Sequence, residues 1–176
     1  MSVLPVEGDV CWCSRCVMHD GIDGVVLDTR GVCNHCHLHD KLDRLYPLTD
    51  VGHAELLKIV AKIKRQGRGK TYDCIVGISG GRDTCYCLYK CKELGLRPLA
   101  VHFDNGWDSE IAKTNLRRVL EGLDVDLHTV VADWEESREL TNCTIRASLP
   151  YIDMTDDVGI VSALYRTAAL EGIGWI

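Results

Sequence analysis

Four cysteines near the N-terminus, Cys13, Cys16, Cys33 and Cys36, form two C-x2-C pairs separated by 16 residues. Each pair turns two thiolates toward one point, and two pairs complete a tetrahedron about 2.3 Å from a zinc ion. Four protein ligands leave no open coordination position, so the expected Zn2+ is structural. The alternative is four reduced, partly buried thiols, but the segment around them has too few apolar residues to fold unaided. Cys11 stands two residues before the first pair as a spare thiol. His35, His37 and His39 flank the second pair, as exposed neighbours or outer partners of the ligands, or with one histidine replacing a cysteine.

A second constellation is Ser79-Gly80-Gly81-Arg82-Asp83-Thr84, between an apolar run and a helical pattern. Two glycines permit unusual backbone angles and close approach of a ligand. Backbone N–H groups at a helix N-terminus form an anion site. Ser79 and Thr84 add hydroxyls, and Asp83 stands where it can hold Mg2+ beside a phosphate. The bland alternative is a tight strand-to-helix turn with Asp83 or Thr84 as the cap. Gly69-Lys70-Thr71 mimics the end of a different phosphate loop, but it precedes a strand and Lys64 occupies the place of its first glycine, so it is set aside.

The elements that must position these groups follow from periodicity. Residues 11–46 are dense in Cys, His, Asp and Gly with little periodicity, as expected for a small metal-held unit. Asp50 to Gln66 reads as an amphipathic helix, with Leu56, Ile59, Val60 and Ile63 on one face. From Lys70 strands and helices alternate. Strands are expected at Tyr72–Ile78, Leu99–Phe103 and Asp126–Ala132, with a fourth beginning at Gly172–Ile176. Helices are expected at Asp83–Leu94, Ser109–Leu123, Trp134–Ala147 and Asp157–Leu170. The fold class is therefore α/β, a doubly wound, mainly parallel sheet, with a small N-terminal zinc-ribbon-like unit. The organisation expected is a zinc-knuckle unit over 1–46, a helix and linker over 47–70, and a nucleotide domain over 71–176. Ligands in such sheets bind at the carboxyl ends of the strands. A final strand with no loop after it suggests a fragment or a truncated product.

Composition narrows the class. The chain has 176 residues, 46% of them hydrophobic and 26% charged, which is globular usage. Its net charge of −6 argues against a broad nucleic-acid footprint, although six Lys/Arg against Glu55 alone between 51 and 70 make a short basic stretch. Ten cysteines suit a reducing, cytoplasmic setting and metal or sulfur chemistry better than disulfides. No apolar run is long enough to span a bilayer, so no membrane insertion is expected, and Met1-Ser2-Val3-Leu4-Pro5 lacks the features of a signal peptide.

The strand-SGGRDT-helix unit resembles the PP-loop ATP pyrophosphatases, with Thr84 in place of the more usual Ser. That resemblance implies ATP cleaved between its α and β phosphates, and adenosine set against the end of the second strand. The matching residues here are His102, Phe103 and Asp104. Asp104 also reads as a turn cap before Gly106.

A narrower resemblance rests on several phrases together: Cys16-Val17-Met18, Gly31-Val32-Cys33-Asn34-His35-Cys36, YDCIVGISGGRDT, Asp104-Asn105-Gly106-Trp107 and ASLPYIDMTDDVGIVSAL. Met154 stands where the family pattern has Pro. Together these are similar to the N-acetyl sugar amidotransferase family, over residues 13 to about 176. The resemblance implies that ATP adenylylates the N-acetyl oxygen of a nucleotide-linked sugar and that ammonia then displaces AMP to form an acetamidino group. It further implies surface-polysaccharide biosynthesis, with a glutaminase and a cyclase-like subunit supplying the ammonia. Asp153, Asp156 and Asp157 are candidates for Mg2+ or sugar hydroxyls, with Asp157 also read as the cap of the last helix. Trp107 is read equally as a stacking surface and as a rim or core residue.

Two other readings stand beside this one. PP-loop tRNA sulfurtransferases also join such a loop to zinc knuckles and thiols. Of the spare thiols Cys74, Cys85, Cys87, Cys91 and Cys143, most fall in predicted elements as small hydrophobes. A truncated domain that binds ATP without turnover is the other.

Overall fold

The computed structural model describes residues 10–176. Residues 1–9, including the N-terminal stretch discussed above, lie outside the described residues. The chain divides into two compact units, Met1–Leu57 and Lys58–Ile176, with the boundary inside a helix.

The first unit is built on turns. Cys13 N–H donates to the Met18 carbonyl (2.7 Å) and Ser14 N–H to that of Gly31 (2.8 Å), closing the loops that carry the first two cysteines. Asp28 Oδ1 accepts from the N–H groups of Arg30 (2.8 Å) and Val32 (2.9 Å), which shapes the approach to the second pair. The Val32 bond leads in holding the Asp28 carboxyl down at about 2. Helix α1, Asn34–Leu45, was not legible in the periodicity. It starts there because Cys33 caps it, its Sγ accepting from the Cys36 N–H at 3.4 Å. Helix α2 spans Asp50–Gln66, as its pattern predicts.

In the second unit, strands β1 (Cys74–Gly77), β2 (Pro98–Asp104) and β3 (Leu127–Val131) pair in parallel in the order β1-β2-β3. Helices α3 (Arg82–Glu93), α4 (Glu110–Leu123), α5 (Trp134–Arg146) and α6 (Met154–Leu170) connect or follow them. Successive strand residues point to opposite faces. Val76, Ile78 and Ala100 accordingly pack against Leu88 of α3 and Leu116 and Leu120 of α4. Ile75, Leu99 and Val101 pack against Ala168 of α6 and against Ile173. Full burial of a side chain such as Leu88 contributes about 2 kcal/mol. The helices thus cover both faces, and the α/β fold class expected above is the one observed. Val60 and Ile63 of α2 pack with Cys74 and Leu96, so the end of that helix is part of the second unit's core.

Two expectations are corrected. Gly172–Ile176 is not a strand: it meets β1 through one backbone bond, Ile75 N–H to the Trp175 carbonyl at 2.9 Å. Two glycines in five residues, one at φ +63°, disfavour a continuous extended run. The last helix begins at Met154, with Asp153 at the N-cap position. Asp157 therefore lies in its first turn, accepting a hydrogen bond from the Tyr151 hydroxyl, and does not cap it.

Candidate functional site: a phosphate loop and a four-cysteine centre

Residues Ser79 to Gly81 leave the carboxyl end of β1 and turn directly into α3, whose N-cap is Gly81. Gly80 sits at φ +76°. A Cβ there would meet the Ala112 carbonyl oxygen of α4 at 2.1 Å, so both the backbone angle and the neighbour demand glycine. Asn115 of α4 donates its side-chain amide to the Gly80 carbonyl at 3.4 Å. The Thr84 hydroxyl donates to the Gly81 carbonyl (3.1 Å) and accepts from the Ser79 N–H (3.3 Å), cross-bracing the loop. Ser79 Oγ lies 3.4 Å from the same hydroxyl. The Asp83 carboxylate is 95% exposed beside the loop, 3.5 Å from Arg82 Nε. The site is thus a curl of backbone at a helix N-terminus, with two hydroxyls and one open carboxylate, an arrangement suited to a polyphosphate and its cation.

At the carboxyl end of β2 the three expected residues part company. His102 is buried beneath the loop, its Nδ1 2.8 Å from the Ile78 carbonyl and its Nε2 2.8 Å from Asp108 Oδ2. The Phe103 ring faces Gly159 of α6, where a Cβ would lie 2.5 Å from it. Asp104 is half-buried at the edge and accepts the Gly106 N–H at 3.0 Å, so it does serve as a turn cap. Trp107 and Trp134, which follow β2 and β3, meet edge to face at 4.9 Å between ring centroids. Gly106 makes room for that pair, since a Cβ there would come within 2.6 Å of Trp134. Asp108, Ala112, Asn115 and Trp134 were missed in the sequence, because no spacing rule links them to the loop.

The four cysteines converge. Sγ–Sγ separations are 3.9 Å for Cys13–Cys36 and 3.5 Å for Cys16–Cys33, and all four sulfurs lie within 4.8 Å of one another. A tetrahedron with Zn–S bonds of about 2.3 Å has edges of about 3.8 Å, so the centre fits zinc. Burial pushes the Cys13 thiol up, but donors from the Arg15, Cys33 and Cys16 backbone outweigh it and hold it at about 6. The Cys16 hydrogen bond and burial push Cys36 up to about 12. A central cation would stabilise all four as thiolates. Arg15 clamps Asp40 of α1 through two bonds of 2.6 and 2.7 Å, locking the first knuckle to the helix. His37 pairs with Asp28 and His39 with Asp43, so neither is a ligand. Cys11 also lies outside the cluster.

A third feature is a cavity of about 440 Å3 running from Gly77, Asp83 and Thr84 past Cys74, Cys87 and Cys91 to Trp175. Cys91 is held down at about 7, chiefly by the Cys74 thiol, while Cys74 itself is pushed up by the same contact and by burial.

No family model matches the sequence. The chain is 32% identical over 76 residues to tRNA(Ile)-lysidine synthase of Chlamydia felis, covering 41% of this chain and 24% of that enzyme. It is 33% identical over 72 residues to the enzyme of the same name from Chlamydia pneumoniae, covering 39% and 23%. The matched stretch therefore spans about a quarter of these curated relatives. Among solved structures, the NH3-dependent NAD synthetase of Campylobacter jejuni superposes with a TM-score of 0.47 at 16% identity, covering 66% of this chain and 51% of that one. The tRNA(Ile)-lysidine synthases are PP-loop ATP pyrophosphatases, the class that the SGGRDT loop resembles. Among the described residues, no helix is long and apolar enough to cross a membrane.

Proposed function

We propose that the second unit is an ATP pyrophosphatase domain. It binds ATP at Ser79–Thr84, adenylylates the N-acetyl oxygen of a nucleotide-linked sugar, and lets ammonia complete an acetamidino group. The observation that carries the ATP part is the braced loop at the carboxyl end of β1, with Gly80 at φ +76° and the α3 N-terminus behind it. The sugar part rests on the sequence phrases shared with the N-acetyl sugar amidotransferases.

In this reading the backbone N–H groups of the loop and the hydroxyls of Ser79 and Thr84 orient the phosphates. Asp83 holds Mg2+, which supplies neutralisation of phosphate charge when bound. The adenosine lies toward Asp104. The amide oxygen attacks the α-phosphorus as the bond to pyrophosphate breaks. Ammonia adds to the activated carbon, AMP leaves with the oxygen, and a proton is lost to give the amidine. Most of this is positioning and electrostatics, which the loop can provide without a general base of its own. The four-cysteine centre holds Zn2+ for structure, and a glutaminase and cyclase-like partner deliver the ammonia in the cytoplasm.

A second reading is favoured by one finding, the similarity to tRNA(Ile)-lysidine synthase. There the activated group would belong to a tRNA, with the basic stretch of α2 and its flank, Lys58 to Lys70, as the patch that meets it.

The test is release of AMP and pyrophosphate from ATP by the zinc-loaded protein, with UDP-N-acetyl sugars plus ammonium, or with bulk tRNA. Stimulation by the sugar, lost in Asp83→Ala, supports the first reading. Stimulation by tRNA with a salt-sensitive gel shift supports the second. No AMP under either condition, with ATP still bound, leaves a nucleotide-binding domain without turnover and overturns both.

A further inference from the structure

His102 is more than nine-tenths buried, yet it serves neither the core nor the phosphate loop directly. Its Nδ1 lies 2.8 Å from the Ile78 carbonyl. A carbonyl only accepts, so Nδ1 carries a hydrogen, while Nε2 either carries a second one, as in imidazolium, or presents a lone pair. Nε2 faces Asp108 Oδ2 at 2.8 Å, and an ionised carboxylate only accepts. The contact is closed either by a proton on Nε2 or by a cation that both atoms ligate. Asp104 adds a second carboxylate: one ligand atom from each of His102, Asp104 and Asp108 lies within 4.8 Å of the others. The Gly106 N–H occupies Oδ1 of Asp104, which leaves its second oxygen for another partner. The three residues border a cavity of about 370 Å3, so the cluster has open space on one side.

We propose that His102, Asp104 and Asp108 form a divalent cation site of one imidazole and two carboxylates, distinct from the four-cysteine centre. Metal–ligand bonds of about 2.1 Å place neighbouring ligand atoms about 3.0 Å apart and opposite ones about 4.2 Å apart, and the cluster's ligand atoms all lie within 4.8 Å of one another. A histidine bound through Nε2 with Nδ1–H held by a backbone carbonyl is the usual support of a metal-bound imidazole. The mixed donor set disfavours Mg2+, which prefers oxygen alone, and admits Mn2+, which takes an imidazole beside carboxylates. Because Ile78 immediately precedes Ser79, the ion ties the end of β2 to the root of the phosphate loop. Its remaining positions face the cavity, where water completes the shell. The site stands independently of the ATP reading, since no nucleotide is needed to assemble it.

The test uses zinc-loaded protein without nucleotide, titrated with Mn2+ by calorimetry and by electron paramagnetic resonance. Wild type should take up one Mn2+ per chain. Asp104→Asn and Asp108→Asn should each weaken that binding by at least ~10-fold, with zinc content and circular dichroism unchanged. Should either variant fold poorly, the wild-type protein labelled with 15N-histidine carries the test. Mn2+ should broaden the His102 ring signals before those of His37 or His39. Absence of Mn2+ binding at millimolar concentration, or broadening that spares His102, would overturn the proposal and leave a proton shared between His102 and Asp108.

Discussion

Gly80 turns the empty side of its Cα toward the carbonyl oxygen of Ala112, close enough that an added Cβ would stand 2.1 Å from it. The phosphate loop is therefore shaped from behind by the first turns of α4 as well as by its own residues. Gly80→Ala should cost about 1–3 kcal/mol through the positive φ and the clash. It should lower the melting temperature of the second unit and weaken ATP binding at least tenfold by calorimetry. Unchanged ATP affinity would show that the loop is not the phosphate site.

The four-cysteine centre makes a separate prediction. Cys33 caps α1 and lies at the centre of the small core formed with Cys13 and Val25. Cys33→Ser should reduce zinc well below one equivalent in metal analysis and loosen the first unit. Cys11→Ser should leave zinc intact, because Cys11 is exposed and outside the cluster. Chelation of the wild-type protein should reproduce the Cys33→Ser circular dichroism, since binding and folding are linked.

Asp73 and Arg97 hold the start of β1 against that of β2. The Asp73 side chain is 3% exposed, and Arg97 reaches it at 2.7 Å while also donating to the Gly67 and Lys70 carbonyls. The Arg97 hydrogen bonds hold the Asp73 carboxyl below its ordinary value, against the opposing effect of burial. A lowered folded value means that this stabilisation is complete above the unfolded value near 4 and is lost as pH falls toward the folded one. Melting temperature should be flat from neutral pH to about pH 5 and fall below about pH 4. Asp73→Asn should cost about 1.5–3 kcal/mol at neutral pH and flatten the acid limb.

Cys91 is the thiol in the cavity whose chemistry stands out. Held at about 7, it should alkylate half-maximally near neutral pH. Mass-mapped iodoacetamide labelling should find Cys91 modified before Cys74, which is buried and pushed up. Cys74→Ala removes the leading donor to the Cys91 thiolate and should move its labelling profile to higher pH. A profile that does not move would show that the pair is not coupled.

Much of this protein was legible in one dimension. The two C-x2-C pairs, the SGGRDT turn, the α2 span from Asp50 to Gln66 and the three parallel strands follow from residue spacing, because backbone periodicity and glycine chemistry are local. Helix α1 was not legible, since a cysteine cap and not an apolar stripe starts it. The fate of Gly172–Ile176 depended on whether it could sustain a ladder beside β1, and a single bond does not. The support of the loop was also hidden. Asn115 reaches Gly80 across 35 residues, His102 reaches Ile78 across 24, and Arg97 clasps Asp73 across 24. Each of these partners comes from a neighbouring element: pairing β1 with β2 brings His102 and Arg97 into range, and packing α4 onto that sheet brings Asn115. Local sequence determined which groups stand as candidates for phosphate and zinc. The tertiary structure decided which side chains hold those groups in place, because that depends on distances that no sequence period encodes.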